Sequence, residues 1–468
     1  MTTAILIVDM QNDFKKIITA DIIKQITKVV QYAHLVKIPV FWIKSRYDNF
    51  VNTTNTTNTT NTKINRSLFD DADQEDTREQ VSNETRLKGT HTGKKMCEVG
   101  TYGAEIIDEF IGLISDNNII TKAHYSSFIE TNLDRLLKDS NITNLIICGV
   151  TINTCVIATT IDAKELGYNT TILSNCVCAF SPAKYKFGLD TIKTYADVVT
   201  SENITNGFES YGTGDSFILY DILPSDIYYS DTFNKLIEEL DWKNMSIKDS
   251  VLSRLICVQA DETLRGLPIY RNPSDTYTKA VDFTDTIRKM INCLNSKLNL
   301  KHKLNHVFVK YYKNGSEGIG KHSDKTLDIL PGSHIVNLSL GATRYMTLTK
   351  KGSSNIKEKI KLTSNSAFLI GMETNKKFYH EVKPDKRPIK EKQPDELIYN
   401  EGRMSLTFRS IGTFVQDDKL VGQGAPDYVY PTINDANELT IAFGEENSDP
   451  NFDWLEYYGK GFYAFANS

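Results

Sequence analysis

The chain has 468 residues and a formal net charge of −5, so it is too long for one ordinary core and lacks the positive balance that draws proteins to nucleic acid or anionic lipid. Hydrophobic residues make up 40% of it, ample for packed cores, and seven irregularly spaced cysteines suit reduced thiols in a cytosol-like compartment. No apolar run approaches the ~20 residues of a membrane span, and the apolar start A-I-L-I-V-D lacks the basic flank and length of a secretory signal.

Over residues 1–200, strand-like apolar runs fall at Ala4–Val8, Pro39–Ile43, Asn118–Thr121, Asn144–Gly149, Asn169–Leu173 and Asp197–Val199. Helical patterns lie between them, at Ile22–Val36, Glu105–Ser115, Thr131–Asp139, Cys155–Leu166 and Pro182–Tyr195. This alternation predicts a parallel sheet covered by helices on both faces, a three-layer α/β domain. Residues 50–86 interrupt it with the repeat N-T-T-N-T-T and a charged stretch, which has no apolar period and reads as a disordered insertion.

Residues 201–214 turn polar and Gly-rich and read as a linker. Residues 215–421 begin with helical patterns at Ser230–Leu240 and Thr284–Leu298. Short β runs follow at His306–Tyr312, Ser333–Leu340, Tyr345–Thr349, Ile356–Leu362, Ala367–Ile370, Phe378–Val382 and Met404–Phe408. Closely spaced strands with Gly and Pro turns predict an antiparallel double-sheet roll, a double-stranded β-helix (jelly-roll) with flanking helices. Residues 422–468 form an acidic, aromatic extension expected to dock on this second domain.

Three residues of the first domain converge by topology. Asp9 ends the first strand and Lys122 the third, while Cys155 follows the fourth strand and is expected to open a helix. Ligands bind at the carboxyl edge of open α/β sheets. A thiol at a helix N-terminus ionises more readily, with Asp9 available to take its proton and Lys122 to hold thiolate or substrate. A buried structural cysteine is the alternative.

These residues, with G-T-Y-G-A-E at 100–105 and Asp162–Ala163 near Gly167–Tyr168, resemble the isochorismatase-like cysteine hydrolase superfamily over Thr3–Thr200. The resemblance implies Asp9, Lys122 and Cys155 as the triad and a cis Val150–Thr151 peptide. It also implies an oxyanion hole from the amides of Thr151 and Cys155. The nicotinamidase branch carries an Asp-x-His metal motif where this chain reads I-K-S-R-Y-D-N. That departure points to a metal-free amidohydrolase acting on a C–N bond.

The second domain holds H-S-D at 322–324, His380 and R-M-S-L-T-F-R at 403–409. Two imidazoles and a carboxylate are the ligand set of a non-haem Fe(II) centre with open positions. On an extended strand, His322 and Asp324 share a face, as do Arg403 and Arg409. Arginines of this kind meet carboxylates with paired hydrogen bonds.

With Y-Y-K-N-G-S-E-G-I-G-K-H-S-D leading into the site, Asp215–Val421 resembles the AlkB-like 2-oxoglutarate/Fe(II) dioxygenases. By resemblance, His322, Asp324 and His380 hold Fe(II). Tyr312 and Arg403 take the distal carboxylate of 2-oxoglutarate, and Arg409 its end near iron. The reaction implied is oxidative decarboxylation of 2-oxoglutarate with O₂, coupled to hydroxylation or N-demethylation. Three departures concern substrate: Lys310 and Ser405 stand where nucleic-acid demethylases carry Asn, and Lys325, Thr326 and Leu327 where they place acidic base contacts.

The expectation is therefore a cytoplasmic bifunctional enzyme, with a nuclear location left open. Its partners are small-molecule substrates and O₂, with no membrane. A basic stretch through 350–351, 357–361 and 383–392 leaves nucleic acid open as a partner. Two alternatives stand: a nucleic-acid repair demethylase whose N-terminal domain is a degenerate binding module, and a non-catalytic 2-oxoglutarate/iron sensor.

Overall fold

The computed structural model describes residues 2–46, 96–114, 118–247, 250–274, 278–353, 355–427 and 435–464; the expected insertion at 50–86 lies outside them. The chain divides into two units, Met1–Thr205 and Asn206–Ser468.

The first unit is built on a parallel sheet of β1 (Thr2–Val8), β2 (Val40–Ser45), β3 (Ile119–Lys122), β4 (Ile142–Val150), β5 (Asn169–Cys178) and β6 (Asp197–Val199), in the order β3-β2-β1-β4-β5-β6. Successive side chains of β1 alternate between its faces. Ile5 and Ile7 enter one core with Ile26, Val29, Val30 and Ala33 of the helix Ala20–Leu35. Ala4, Leu6 and Val8 enter the other with Leu133, Leu137 and Ile157. Both faces are buried, which is why the strand reads as an unbroken apolar run. The Ala20–Leu35 helix begins at Thr19, whose hydroxyl accepts from the Ile22 amide at 3.3 Å.

Two local expectations change. Where a helix is predicted over Glu105–Ser115, the described residues form a short 3₁₀ turn, Asp108–Leu113, with another, Tyr102–Ala104, just before it. Buried Ile107 and Phe110 are three apart, the spacing that stacks in a 3₁₀ turn, and Gly112 weakens a longer α-helix. The stretch 201–214 is not a free linker. Ser201–Thr205 is a helical turn whose Ser201 hydroxyl donates to Gln25 Oε1 at 2.9 Å, and Glu209–Tyr211 is an edge strand. Its glycines serve the hairpin that follows, where Gly212 and Gly214 take φ of +66° and +92°.

The second unit is rich in antiparallel sheet. Its larger sheet contains β7 (Glu209–Tyr211), β8 (Ser216–Leu219), β9 (Lys243–Ile247), β10 (Ser250–Gln259), β12 (His306–Tyr312), β14 (Ile335–Gly341), β17 (Ser366–Ile370) and β19 (Arg403–Arg409), ordered β7-β8-β17-β14-β19-β12-β10-β9. A second sheet runs β13-β18-β15-β16, from β13 (Ile319–His322), β18 (Phe378–Val382), β15 (Arg344–Lys350) and β16 (Lys357–Leu362). A small third sheet joins β11 (Leu267–Pro268), β20 (Thr413–Gln416) and β21 (Lys419–Gly422). Ile335, Phe368 and Ile370 of the large sheet share one core with Met346, Leu348, Ile360 and Val382 of the second. Beyond Gly422, the helices Asp435–Ser448 and Trp454–Tyr458 pack Leu439, Phe443 and Tyr458 against Leu327. Among the described residues, no helix is long and apolar enough to cross a membrane.

Candidate active sites

At the carboxyl edge of the parallel sheet, Lys122 and Asp9 form a fully buried ion pair, Nζ to Oδ2 at 2.8 Å. The ammonium also donates to Ser45 Oγ at 2.9 Å and to the His124 carbonyl at 3.1 Å, which uses its three protons. Asp9 takes the left-handed conformation (φ +52°), and its Oδ1 is buried without a hydrogen-bond partner. Cys155 lies beside both groups, 4% exposed, and the Val150–Thr151 peptide is cis.

One expectation about the thiol is corrected. Cys155 does not open an α-helix. It sits in a π-turn, Ile152–Val156, ahead of the helix Ile157–Glu165. Burial, and after it the Asp9 charge, push its pKa up to about 12, against the opposing pull of Lys122. The resting sulfur is a thiol, because a thiolate here would compete with Asp9 for the single ammonium. Residues 47–49, part of the run read as lacking a metal motif, lie outside the described residues.

In the second unit, β13 and β18 place His322 directly opposite His380, with ring centroids 4.2 Å apart. β13 ends at His322, so Asp324 reaches the site from the segment after the strand rather than from the shared strand face expected. That segment is clamped: the Asp324 amide donates to Asn375 Oδ1 at 2.9 Å, and Asn375 Nδ2 donates back to the Asp324 carbonyl at 2.8 Å. Asp324 Oδ1 faces His322 Nε2 at 3.9 Å and His380 Nε2 at 3.7 Å. The candidate ligand atoms of the three residues all lie within 4.8 Å of one another.

The donor set fits a divalent cation. His322 Nδ1 lies 2.8 Å from the Gly320 carbonyl and donates to it, which leaves Nε2 as the lone-pair nitrogen. Burial lowers the pKa of His322 well below its ordinary value and that of His380 to about 4, so both rings are neutral. Asp324 stays ionised at any ordinary pH: burial is the largest single influence and raises its pKa, but Arg409 and the other nearby cationic groups together outweigh it.

Arg403 and Arg409 lie on β19 as expected, and β12 sets Tyr312 across from Arg403. The Arg403 guanidinium lies 5.6 Å from the Tyr312 ring centroid and donates to Ser339 Oγ at 2.7 Å. Buried Nε atoms of Arg403 and Arg409 have no partner, which suits them to a carboxylate-bearing ligand. Sequence reasoning missed Ser45 and Asn375, which belong to no motif. It also missed Asn447, whose Oδ1 accepts from the Ser323 amide at 3.0 Å from beyond the second domain's expected limit.

Part of the basic stretch is engaged within the chain. Arg387 pairs with Asp385 and Glu396, Lys361 with Asp395 and Lys392 with Glu401, while Lys351 donates to the Glu446 carbonyl.

Comparison with known proteins agrees with this division. Residues 3–203 match the isochorismatase domain, and residues 219–409 match the 2OG-Fe(II) oxygenase superfamily. The chain is 28% identical over 190 residues to an Arabidopsis thaliana protein named "Probable inactive nicotinamidase", covering 38% of this chain and 82% of that one. It is 27% identical over 222 residues to ureidoacrylate amidohydrolase RutB of Acinetobacter baylyi, covering 44% and 84%. It is 30% identical over 114 residues to DNA oxidative demethylase ALKBH2 of Mus musculus, covering 23% of this chain and 43% of that protein, less than half of its length. The oxygenase superfamily implies Fe(II) and 2-oxoglutarate as its cofactors. The chain thus joins an isochorismatase-family domain to an AlkB-like domain of the 2OG-Fe(II) oxygenase superfamily.

Proposed function

We propose that the chain carries two separate active centres. One is a cysteine hydrolase that cleaves a C–N bond of an amide-like small molecule. The other is an Fe(II)/2-oxoglutarate-dependent oxygenase, built on a double-stranded β-helix, that hydroxylates or oxidatively N-demethylates its substrate.

The hydrolase reading rests on the buried Asp9–Lys122 pair beside Cys155, with Asp9 Oδ1 left as an open acceptor. Asp9 takes the thiol proton as sulfur attacks the carbonyl carbon, so thiolate forms only as it is consumed. Lys122 holds Asp9 in place, and the amides of Thr151 and Cys155 receive the oxyanion. Collapse breaks the C–N bond and the amine leaves with the proton from Asp9. Water then cleaves the thioester, releasing the acid and restoring the thiol. The I-K-S-R-Y-D-N run at 43–49 supports a site without a resident metal.

The oxygenase reading rests on one observation: Asp324 Oδ1 facing the Nε2 atoms of His322 and His380. In it these three residues hold Fe(II), Tyr312 and Arg403 hold the distal carboxylate of 2-oxoglutarate, and Arg409 holds its other end. Bound there, the metal and co-substrate supply oxygen activation coupled to decarboxylation. Fe(II)-dependent succinate release from 2-oxoglutarate tests this half, and His322→Ala is expected to abolish it; unchanged release rejects the ligand assignment. Ammonia or amine release from an amide panel tests the other half, with Cys155→Ala as the inactive control.

A second reading is favoured by the similarity to a DNA oxidative demethylase and to a protein named inactive. There the oxygenase repairs methylated nucleic acid and the N-terminal domain only binds. Cys155→Ala would then leave every activity intact, and methylated single-stranded DNA would be demethylated.

A further inference from the structure

His322 and Asp324 of the metal site open onto a cavity of about 750 Å³, within the range of small-molecule sites. One of its walls is the helix Asp435–Ser448, which lies beyond the segment matching the oxygenase superfamily. Ala436, Asn437, Thr440, Phe443, Gly444 and Asn447 face the cavity, a stripe at helical spacing.

This wall is built in. Glu446, buried, accepts from the Thr326 amide at 2.9 Å and from the Tyr458 hydroxyl at 2.6 Å. Lys325 Nζ donates to the Phe443 carbonyl at 2.7 Å, and Asn447 holds Ser323 between the metal-site residues His322 and Asp324. The three residues after H-S-D are therefore engaged by the C-terminal segment, Leu327 through its packing.

The charge of the lining is one-sided. Among the described residues, Asp324 is the only carboxylate of the lining, and it is already paired with Arg409. Lys310 lies within the field of Asp324, and Arg254 and Lys321 add two further cations to the lining. Arg254 donates to the Gly318 carbonyl at 3.2 Å, while its buried Nε has no partner.

We propose that the Asp435–Ser448 helix is the substrate-selecting wall of the oxygenase cavity, and that this cavity takes a small molecule bearing a carboxylate or phosphate, held by Arg254 and Lys321. The inference rests on the oxygenase reading of His322, Asp324 and His380. It replaces an open groove for a nucleic-acid strand with a walled, cationic pocket.

Gly444 provides the test, because a Cβ added there meets nothing within 4 Å. Gly444→Phe projects into the cavity without a steric clash at its own backbone, and Thr440→Trp is a second filling variant. Calorimetry on the full chain with Mn(II) and 2-oxoglutarate present would titrate four probes and a strand. These are N-methyl-L-glutamate and its diester, a methylated nucleoside 5′-monophosphate and its nucleoside, and a methylated single-stranded oligonucleotide. At least one anionic probe is expected to bind, and its esterified or dephosphorylated counterpart to bind about tenfold or more weakly, the scale of one charge-assisted hydrogen bond. Arg254→Gln should erase that difference, and both filling variants should abolish binding while keeping their unliganded melting midpoints. The proposal is overturned if no anionic probe binds, if the esterified or dephosphorylated counterparts bind equally, or if the oligonucleotide binds wild type and Gly444→Phe alike. The thermal midpoint with Mn(II) and 2-oxoglutarate alone separates the two levels: no shift there removes the oxygenase reading itself, whereas a shift with no anion selectivity removes only this inference.

Discussion

Arg409 divides the two oxygens of Asp324 between two tasks. Its Nη2 holds Oδ2 at 2.6 Å, while Oδ1 is left facing the imidazoles of His322 and His380. The guanidinium itself is stacked on one side, 3.8 Å from the Tyr270 ring centroid. A carboxylate fixed this way presents one oxygen to a cation and cannot rotate to present both.

Arg409→Met therefore removes both the fixing contact and the charge that keeps Asp324 ionised. Breaking a buried pair from one side costs about 3–5 kcal/mol. Losing an outer-shell partner lowers metal affinity by roughly 10–100-fold. Denaturant melts and Mn(II) titrations read the two effects separately, and unchanged Mn(II) affinity would mean that Arg409 does not position the ligand.

In the first domain, Asp9→Asn should separate thiol reactivity from turnover. Asp9's charge raises the Cys155 pKa and Lys122 lowers it, so neutralising Asp9 shifts the thiol downward. Carbamidomethylation of Cys155 by iodoacetamide at pH 8 is expected to quicken in this variant while amide hydrolysis is lost. In wild type the same rate should keep climbing with pH without a plateau below pH 10. Slower alkylation in Asp9→Asn would contradict the assigned electrostatics.

Acid sensitivity of the metal-free second domain follows from its buried histidines. Burial lowers His306 to about 3 and His380 to about 4. Both are neutral when folded and take a proton on unfolding below their ordinary value of ~6.5. The unfolded state then binds more protons, so stability rises with pH across this window and is complete above it. On acidification from pH 6.5 towards 4, each histidine should cost up to about 1.4 kcal/mol per pH unit. Melting midpoints measured across that range test this, and His306→Leu should flatten the slope by one histidine's share.

Glu446 is the anchor of the C-terminal helix, and its variants should grade accordingly. Tyr458→Phe removes one hydrogen bond and is expected to cost about 1 kcal/mol. Glu446→Ala also strands the Thr326 amide and opens a cavity beneath the helix, so it should cost about 2–4 kcal/mol. Hydrogen exchange over 435–448 should accelerate in Glu446→Ala and not in Tyr458→Phe.

Much of this arrangement is legible in the sequence because it is periodic or local. The strands His306–Tyr312 and Phe378–Val382 are found at their predicted limits, since continuous apolar or alternating runs with clear turns mark their ends. Asp9, Lys122 and Cys155 come together because each sits at the end of a parallel strand or just beyond one. What the sequence conceals depends on contacts distant in the chain. Asn375 and Ser45 are ordinary polar residues until the fold brings them to Asp324 and Lys122. The thiol's raised pKa comes from burial, which helix-terminus reasoning does not see. The acidic tail is expected to dock, but its contacts are hidden: Glu446 and Asn447 belong to no motif, yet they reach back 120 and 124 positions to Thr326 and Ser323.

The central claim is that His322, Asp324 and His380 gather one divalent cation. Mn(II) titration of the full chain, followed by electron paramagnetic resonance, addresses it directly. One bound ion per chain is predicted for wild type, with binding lost in His322→Ala and in His380→Ala. Equal binding by wild type and both variants, or no binding by wild type, would contradict it.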